Sequence, residues 1–218
     1  MNRKDYILFD LDGTLTDPKE GITKSVQHAL EHFGIQTDDL DSLTPFIGPP
    51  LRDSFKRYYG FSDEQAWEGV QAYREYFSVR GWVQNKEYPG IKEMLEALKE
   101  AGRVLLVATS KPEEFAKKIL DHFDMAEYFD FIGGADMGET RVRKADVIRY
   151  VLEQCGLESD NETIGRCVMV GDREHDVLGA RECGGVLYGY GDRQEMDACR
   201  PAWIAETVKD LRDLLLSL

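Results

Sequence analysis

Long apolar runs are missing from this chain of 218 residues, and no stretch of about 18 apolar residues offers a membrane-spanning helix. No basic segment followed by an apolar one opens the sequence, so we expect no secretory signal. Basic residues are scarce, with 27 Lys and Arg against 41 Asp and Glu and a formal charge of −14. These absences predict a cytoplasmic protein with neither a nucleic-acid partner nor a membrane partner.

Cysteine is rare, with four residues and no Cys-x-x-Cys spacing. We therefore expect reduced thiols at all four positions, which are Cys155, Cys167, Cys183 and Cys199. Internal repeats and low-complexity segments are missing as well. The hydrophobic fraction of 42% is enough for an ordinary core in one large domain or two small ones.

The most informative segment is residues 6–17, where a short hydrophobic run ends in two carboxylates. The run Tyr-Ile-Leu-Phe is typical of a strand that is buried on both faces. Asp10 and Asp12 follow it two residues apart, so on an extended backbone they point the same way. Their repulsion is unfavourable unless a cation or a proton lies there. The simpler interpretation is a strand end followed by a turn, since Asp and Gly favour turns.

Two more hydrophobic runs end in polar residues further along the chain. Residues 103–108 lead into Thr109, which could also cap the helix that begins after Pro112. Residues 166–170 lead into Gly171 and Asp172, and Asp176 follows four residues later. Both carboxylates could reach one cation as the chain turns into a helix, or they could simply complement the dipole of that helix.

A lysine stands between these two segments, at the start of a predicted helix. Lys144 is the candidate, although Arg141 and Arg143 are close to it and a solvated lysine is the common alternative. His175 adds a titratable ring near the last carboxylates, for which we expect a supporting or solvent-facing role.

These four segments, in this order, resemble the motif set of the haloacid dehalogenase-like phosphohydrolases. Asp-Leu-Asp-Gly-Thr-Leu at residues 10–15 is similar to the opening motif, and Gly-Asp-x-x-x-Asp at residues 171–176 is similar to the last one. The strand that ends in Thr109 resembles the second motif. Lys144 resembles the third, although Ala145 follows it where many relatives have Pro.

The resemblance implies a phosphatase that forms an aspartyl phosphate. Asp10 would be the nucleophile, and Asp12 would be the general acid and then the general base. Thr109 would hold the phosphoryl group, and Lys144 would offset the negative charge. The implied cofactor is Mg²⁺, which prefers oxygen ligands. The implied metal ligands are Asp10, Asp172, the backbone carbonyl of Asp12, and Asp176 directly or through another ligand.

The order of the predicted elements indicates an α/β protein with a Rossmann-like three-layer core and a mostly parallel sheet. Helical patterns fill the chain between the first two motifs, which resembles the inserted all-helical cap of this superfamily. We predict the core at residues 1–16 and 85–218 and the cap at residues 17–84. In the core we expect a helix that ends near Gly184 and Gly185, followed by a strand at residues 186–191.

The whole chain looks most like the phosphoglycolate phosphatase-like branch, which implies a small-molecule phosphate ester as substrate and a monomer or homodimer. Arg52 in the predicted cap is a candidate for binding the leaving group of the substrate, and Tyr73 and Arg74 are weaker candidates. Ser110 and Lys111 are the substrate-binding candidates in the core. Each of them could instead be an ordinary surface or packing side chain.

Several other functions stay open at this point. A 5'-nucleotidase, a pyrophosphatase or a β-phosphoglucomutase-like phosphomutase would use the same four motifs. A haloacid dehalogenase is disfavoured because it does not need Asp12. The non-enzyme alternative is a phospho-dependent regulatory or binding protein. His28-x-x-Glu31-His32 also matches a zinc-peptidase spacing, but the sequence offers no evident third ligand.

Overall fold

The computed structural model describes residues 4–138, 140–157 and 160–218. The chain forms two compact units, Met1–Asp17 with Glu87–Leu218 and Pro18–Lys86. None of the helices in the described ranges is long and apolar enough to cross a membrane.

The first unit is built on a sheet with the strand order β5-β4-β1-β6-β7-β8, in which every neighbouring pair is parallel. Its strands are β1 (Tyr6–Phe9), β4 (Val104–Pro112), β5 (Phe131–Ala135), β6 (Cys167–Gly171), β7 (Cys183–Val186) and β8 (Trp203–Ala205). Two short strands, β2 (Thr16–Asp17) and β3 (Lys86–Glu87), lie where the chain passes from one unit to the other. The predicted α/β core with its parallel sheet is confirmed.

Helices connect the strands of this sheet. They are α4 (Ile91–Glu100), α5 (Glu113–His122), α6 (Lys144–Gln154), α7 (Asn161–Gly165), α8 (Glu174–Gly179), α9 (Arg193–Cys199) and α10 (Val208–Ser217), with a 3₁₀ turn at Ala126–Tyr128. The central strands are buried on both faces, as their continuous hydrophobic runs require. Leu8, Leu106 and Met169 from three strands pack in the same core cluster as Val147 and Val151 of α6.

The register of the sheet decides where the polar strand ends meet. Phe9 lies opposite Val107 on one side and Val170 on the other. The residues that follow these positions therefore emerge at one edge of the sheet, the carboxyl edge at which ligands bind in open α/β folds. Asp10 and Asp172 both follow their strands at this edge.

The prediction for residues 174–191 was wrong in its boundaries. The helix ends at Gly179, and Gly184 and Gly185 lie inside β7 rather than at a helix end. The reason is the neighbouring packing, because a Cβ on Gly184 would lie 2.0 Å from the ring of Trp203 on β8. A pair of glycines resembles a helix stop in sequence, but here it makes room for an indole. Residues 187–191 then form a loop instead of a strand.

The second unit is helical. It contains α1 (Lys19–His32), α2 (Leu51–Tyr59), α3 (Asp63–Val79) and 3₁₀ turns at Asp41–Phe46 and Gly81–Val83. Helix α1 packs on α3, and its buried residues include Val26 and Leu30. Helix α3 begins with a capping box, in which the Ser62 side chain accepts from the Gln65 amide. Apolar stripes at helical spacing thus meet inside this unit.

Candidate active site

Asp10 leaves β1 at the carboxyl edge of the sheet and is buried, with 4% of its surface exposed. Its amide donates to the Val170 carbonyl at 2.9 Å, so the backbone at Asp10 is still tied to β6. The chain then closes a tight turn, in which the amides of Leu15 and Thr16 both donate to the Leu11 carbonyl. This turn fixes the directions in which the two carboxylates leave the strand.

Lys144 lies at the first position of α6, and its ammonium group contacts three acceptors. It lies 3.0 Å from Asp10 Oδ1 and 2.8 Å from Asp176 Oδ1, and it donates to the Ala108 carbonyl at 2.9 Å. The ammonium therefore forms ion pairs with two carboxylates and donates to one backbone carbonyl. Burial opposes its charge, but Asp10 and Asp176 outweigh that effect and raise the pKa of Lys144. Lys144 is therefore a cation.

Arg141, one of the two arginines that are close to Lys144 in sequence, lies elsewhere. Its guanidinium lies 3.5 Å from the centre of the Tyr150 ring, and its Nε donates to the Gly134 carbonyl at 3.0 Å. Stacking on an aromatic ring and a backbone contact are structural roles that arginine performs well. Of Arg141 and Lys144, it is Lys144 whose described contacts include Asp10.

Three carboxylates converge beside this lysine. Asp10, Asp172 and Asp176 can each offer an oxygen such that all three oxygens lie within 4.8 Å of one another, and all three residues are buried. Burial, together with the charges of Asp176 and Asp10, raises the pKa of Asp172 well above its ordinary value. Burial raises the pKa of Asp176 to about 6, against the opposing effect of Lys144. The cluster therefore holds more negative charge than its own lysine balances.

This cluster fits a divalent cation such as Mg²⁺. Its donors are carboxylate oxygens, which Mg²⁺ and similar hard cations prefer. A bound cation would also remove the electrostatic penalty that raises these pKa values. Asp176 differs from the other two, because its Oδ1 contacts Lys144 and its Oδ2 accepts from the Arg173 amide at 3.1 Å.

Asp12 lies across from Lys111, and both side chains are buried. The Lys111 ammonium is 2.8 Å from Asp12 Oδ2. The other oxygen, Oδ1, has no hydrogen-bond donor within reach in the described part of the chain. Burial raises the pKa of Asp12, and Lys111 opposes that rise. This environment brings the protonated and ionised forms of Asp12 closer in free energy than they are in water.

Thr109 and Ser110 continue β4 beyond Ala108. Thr109 is buried, and its hydroxyl accepts from the Lys111 amide at 3.2 Å. Ser110 is half-buried. The first unit therefore brings together seven predicted site residues that lie on, or directly after, the five elements β1, β4, α6, β6 and α8. They are Asp10, Asp12, Thr109, Lys111, Lys144, Asp172 and Asp176.

Arg52 lies on α2 of the helical unit, with its guanidinium 3.8 Å from Asp63 Oδ1 and 5.9 Å from the centre of the Trp67 ring.

The two histidines of the zinc-peptidase spacing on α1 lie beside carboxylates of α3. His32 Nε2 lies 2.8 Å from Glu68 Oε1, and His28 Nε2 lies 3.6 Å from Glu75 Oε2. These are exposed interhelical pairs between α1 and α3, so neither histidine is needed as a metal ligand.

The loop at residues 187–191 contacts the site directly, although no motif in the sequence points to it. The Tyr190 amide donates to Asp172 Oδ2 at 2.7 Å, and the Tyr190 hydroxyl donates to the Asp17 carboxylate. The Tyr188 hydroxyl donates to the Thr14 carbonyl at 3.0 Å. The alternation Tyr-Gly-Tyr-Gly in the sequence fits the predicted strand as well as a loop, and it gives no target for either tyrosine.

Comparison with known proteins agrees with this geometry. A family model described as haloacid dehalogenase-like hydrolase matches residues 7–187. The chain belongs to this family. The predicted family is thereby confirmed, and the chain is an enzyme of the phosphatase group of haloacid dehalogenase-like hydrolases.

Curated relatives of this haloacid dehalogenase-like hydrolase carry different names. It is 47% identical to a 5'-nucleotidase from Pseudomonas aeruginosa, over 97% of this chain and 95% of that protein. It is 40% identical to tyrosine-protein kinase PtkA from Mycobacterium tuberculosis, over 96% of this chain and 72% of that protein. It is 34% identical to a phosphoglycolate phosphatase from Aquifex aeolicus, over 84% and 85%.

Among solved structures, a crystal structure described as a predicted phosphatase from Clostridium acetobutylicum superposes with a TM-score of 0.95 at 45% identity. The match covers 100% of both chains. The fold of this haloacid dehalogenase-like hydrolase is therefore shared from end to end with that protein.

Proposed function

We propose that this chain is a Mg²⁺-dependent phosphomonoester hydrolase that acts on a small phosphorylated metabolite through an aspartyl phosphate on Asp10. The observation that carries the proposal is the buried position of Lys144 between Asp10 and Asp176, beside the three converging carboxylates. A phosphate monoester is a dianion, and its hydrolysis depends mainly on charge neutralisation and positioning. The site supplies a carboxylate nucleophile, a cation and a place for a second cation.

Asp10, Asp172 and the Asp12 backbone carbonyl would hold the Mg²⁺, which would supply the positive charge that lets a phosphate dianion approach a carboxylate. Asp176 Oδ1 forms an ion pair with Lys144 and its Oδ2 accepts from the Arg173 amide, so we propose that Asp176 acts chiefly by holding Lys144. Lys144 in turn offsets the charge of Asp10. The same cation thus stabilises the nucleophile and the transferred group.

The reaction that we propose has two steps. In the first, an Asp10 oxygen forms a bond to phosphorus while the bond to the leaving oxygen breaks, and that oxygen takes a proton from Asp12. In the second, the Asp12 carboxylate takes a proton from water, whose oxygen attacks phosphorus and releases Asp10. Burial favours the protonated form of Asp12 that the first step needs, because it raises the pKa of this carboxyl. Thr109 and Ser110 would hold the phosphoryl oxygens.

A nucleoside 5'-monophosphate is the substrate that we place first. The relative named 5'-nucleotidase is 47% identical over nearly the full length, whereas the relative named phosphoglycolate phosphatase is 34% identical. We propose that residues 17–84 act as a cap that selects the leaving group and that Arg52, Ser110 and Lys111 contribute to substrate binding. Phosphoglycolate and pyrophosphate are the alternative substrates in this proposal.

Phosphate release from a panel of esters tests the substrate and the cofactor together. The panel contains nucleoside 5'-monophosphates, 2-phosphoglycolate, pyrophosphate, sugar phosphates and p-nitrophenyl phosphate, each with Mg²⁺ and with EDTA. We expect Mg²⁺-dependent release that is fastest from a nucleoside 5'-monophosphate. Release that is equal with EDTA would contradict the metal requirement, and a preference for 2-phosphoglycolate would reassign the substrate.

Substitution of the two first-motif carboxylates separates their roles. Asp10→Asn removes the nucleophile, so phosphate release should fall below detection. Asp12→Asn keeps the backbone carbonyl and should lower kcat by about 10²- to 10⁴-fold, the usual contribution of general acid–base catalysis. Its Mg²⁺ affinity, measured by calorimetry, should change little. Wild-type rates in either variant would contradict the mechanism.

Transfer to an acceptor other than water is the second candidate, because the relative named tyrosine-protein kinase is 40% identical over 96% of this chain. Incubation with labelled ATP and a tyrosine peptide tests it directly. A phosphorylated peptide that forms faster than free phosphate would favour this candidate, and rapid transfer to a hexose phosphate would favour a phosphomutase. Release of phosphate to water in both assays supports the hydrolase.

A further inference from the structure

The loop at residues 187–191, which we call the tyrosine loop, joins two parts of the first unit. Its Tyr190 amide donates to Asp172 Oδ2, and its Tyr190 hydroxyl donates to the Asp17 carboxylate. Its Tyr188 hydroxyl donates to the Thr14 carbonyl. One short loop therefore holds both a candidate metal ligand and the segment that follows the nucleophile.

Glycines allow the chain segments of this arrangement to approach closely. A Cβ on Gly189 would lie 2.2 Å from the Gly13 carbonyl oxygen, and a Cβ on Gly191 would lie 1.8 Å from the Asp172 carbonyl oxygen. Gly13 itself has φ +78°, and a Cβ there would lie 2.1 Å from Asp172 Oδ2. Only glycine fits at these positions, because any side chain would force the backbones apart. The tyrosine loop thus packs closely against Asp172 and the turn after β1.

The two contacts of Tyr190 have fixed directions. An ionised carboxylate only accepts, so the phenol must donate to Asp17. Burial and then Asp17 raise the pKa of Tyr190, which keeps the phenol protonated and able to donate. The ring of the neighbouring Tyr188 packs edge-on against Tyr88, with ring centres 5.1 Å apart. The hydroxyl end of Tyr190 is therefore anchored, and its amide is held at Asp172.

We propose that Tyr190 is a positioning residue for the metal site, which holds Asp172 through its amide because its hydroxyl is anchored on Asp17. The proposal rests on the proposed function only in taking Asp172 as a ligand of the divalent cation. Residues that orient metal ligands typically change metal affinity by about 10- to 100-fold when they are substituted. Tyr190 touches neither the reacting atoms nor Lys144 in the described contacts, so its effect should fall on the metal.

Tyr190→Phe tests this proposal because it removes the hydroxyl and keeps the ring and the amide. We expect the Mg²⁺ concentration at half-maximal activity to rise about tenfold, while kcat at saturating Mg²⁺ and KM for substrate stay within about twofold. The second readout needs no turnover. The midpoint of the Mg²⁺-induced increase in Tm of the full chain should shift by the same factor.

Asp17 accepts the hydrogen bond from the Tyr190 hydroxyl, so two substitutions of Asp17 provide a matched pair of variants. Asp17→Asn retains an acceptor oxygen and should behave nearly as wild type, whereas Asp17→Ala should weaken Mg²⁺ binding as Tyr190→Phe does. The double variant Tyr190→Phe/Asp17→Ala should bind Mg²⁺ no more weakly than either single variant does. All three variants lack the same hydrogen bond, so the two losses should not add. Tyr6→Phe is the control, because its ring lies at the opposite end of β1 beside Arg166.

An unchanged Mg²⁺ midpoint in folded Tyr190→Phe would overturn the proposal. A loss of kcat at saturating Mg²⁺ without a shift of the midpoint would overturn it too, because that pattern belongs to a general structural role. If Tyr190→Phe does not fold, Asp17→Ala decides by the same midpoint. A wild-type chain that binds Mg²⁺ but releases no phosphate would instead contradict the proposed function, and the Tm readout would still test Tyr190.

Discussion

At the scale of single residues, the site depends on one buried lysine that balances two buried carboxylates. The side chains of Lys144, Asp10 and Asp176 are 3%, 5% and 1% exposed, so water does little to screen them. Charges in such surroundings are tolerated only when they are paired and hydrogen-bonded. The lysine is thus needed for stability as well as for the chemistry that we propose.

Lys144→Met should destabilise the metal-free protein by about 3 to 5 kcal/mol, because it leaves two buried carboxylates without their cation. Urea unfolding in EDTA measures this free energy. Added Mg²⁺ should recover part of the loss, since it supplies positive charge to the same cluster. The matched control is Lys24→Met, which breaks an exposed pair with Glu20 and should leave the stability unchanged. Equal losses in the two variants would refute this account.

At the scale of elements, the sheet edge formed by β7 and β8 is decided by side-chain volume. Gly184 lies opposite Trp203 in the register of the two strands, and the indole occupies the space of the missing side chain. A glycine in a strand usually weakens it, but here it allows a large aromatic side chain to pack on the strand. The packing explains why two consecutive glycines do not end an element.

Gly184→Ala should lower the free energy of unfolding by about 1 to 3 kcal/mol, because the new methyl group overpacks the contact with Trp203. Denaturant unfolding followed by circular dichroism measures the change. Gly165→Ala is the control within the chain, since a Cβ there meets no atom within 4 Å in the described structure. It should be neutral or slightly stabilising. A neutral Gly184→Ala would contradict the packing explanation.

At the scale of the whole molecule, the acidic cluster links metal binding to pH. The pKa of Asp172 and that of Asp176 are both raised, the latter to about 6, so the folded metal-free protein holds these protons more tightly than the unfolded chain does. Their contribution to the stability of the metal-free protein is present below about pH 4 and is lost as pH rises through the folded values. A cation that needs the ionised carboxylates gains affinity over the same range.

We expect the Mg²⁺-induced increase in Tm to be small at pH 5 and large at pH 7.5, because protons compete with the metal at low pH. Differential scanning calorimetry with fixed Mg²⁺ and with EDTA at each pH measures it. Asp176→Asn removes the carboxyl group whose pKa is raised to about 6. The Mg²⁺-induced increase in Tm should therefore depend less on pH in this variant. A shift that is the same at both pH values would contradict binding of the cation at this acidic cluster.

The sequence alone was enough to predict the parallel α/β sheet and the identity of the family. Continuous hydrophobic runs that end in Asp10, Thr109 and Asp172 are local features, and parallel strands bring their ends to one edge whatever the rest of the chain does. The capping box at Ser62 is equally local, because its partners are three residues apart. Patterns of this kind can be read without knowledge of distant neighbours.

Only the tertiary structure decided which distant residues meet. It placed Lys144 beside Asp10, paired Lys111 with Asp12, and brought the Tyr190 amide to Asp172. It also placed Gly184 in a strand, for reasons that lie in Trp203 about twenty residues away. The physical reason is common to all four cases. Contacts between side chains that are far apart in sequence depend on packing and register, and neither periodicity nor composition specifies those partners.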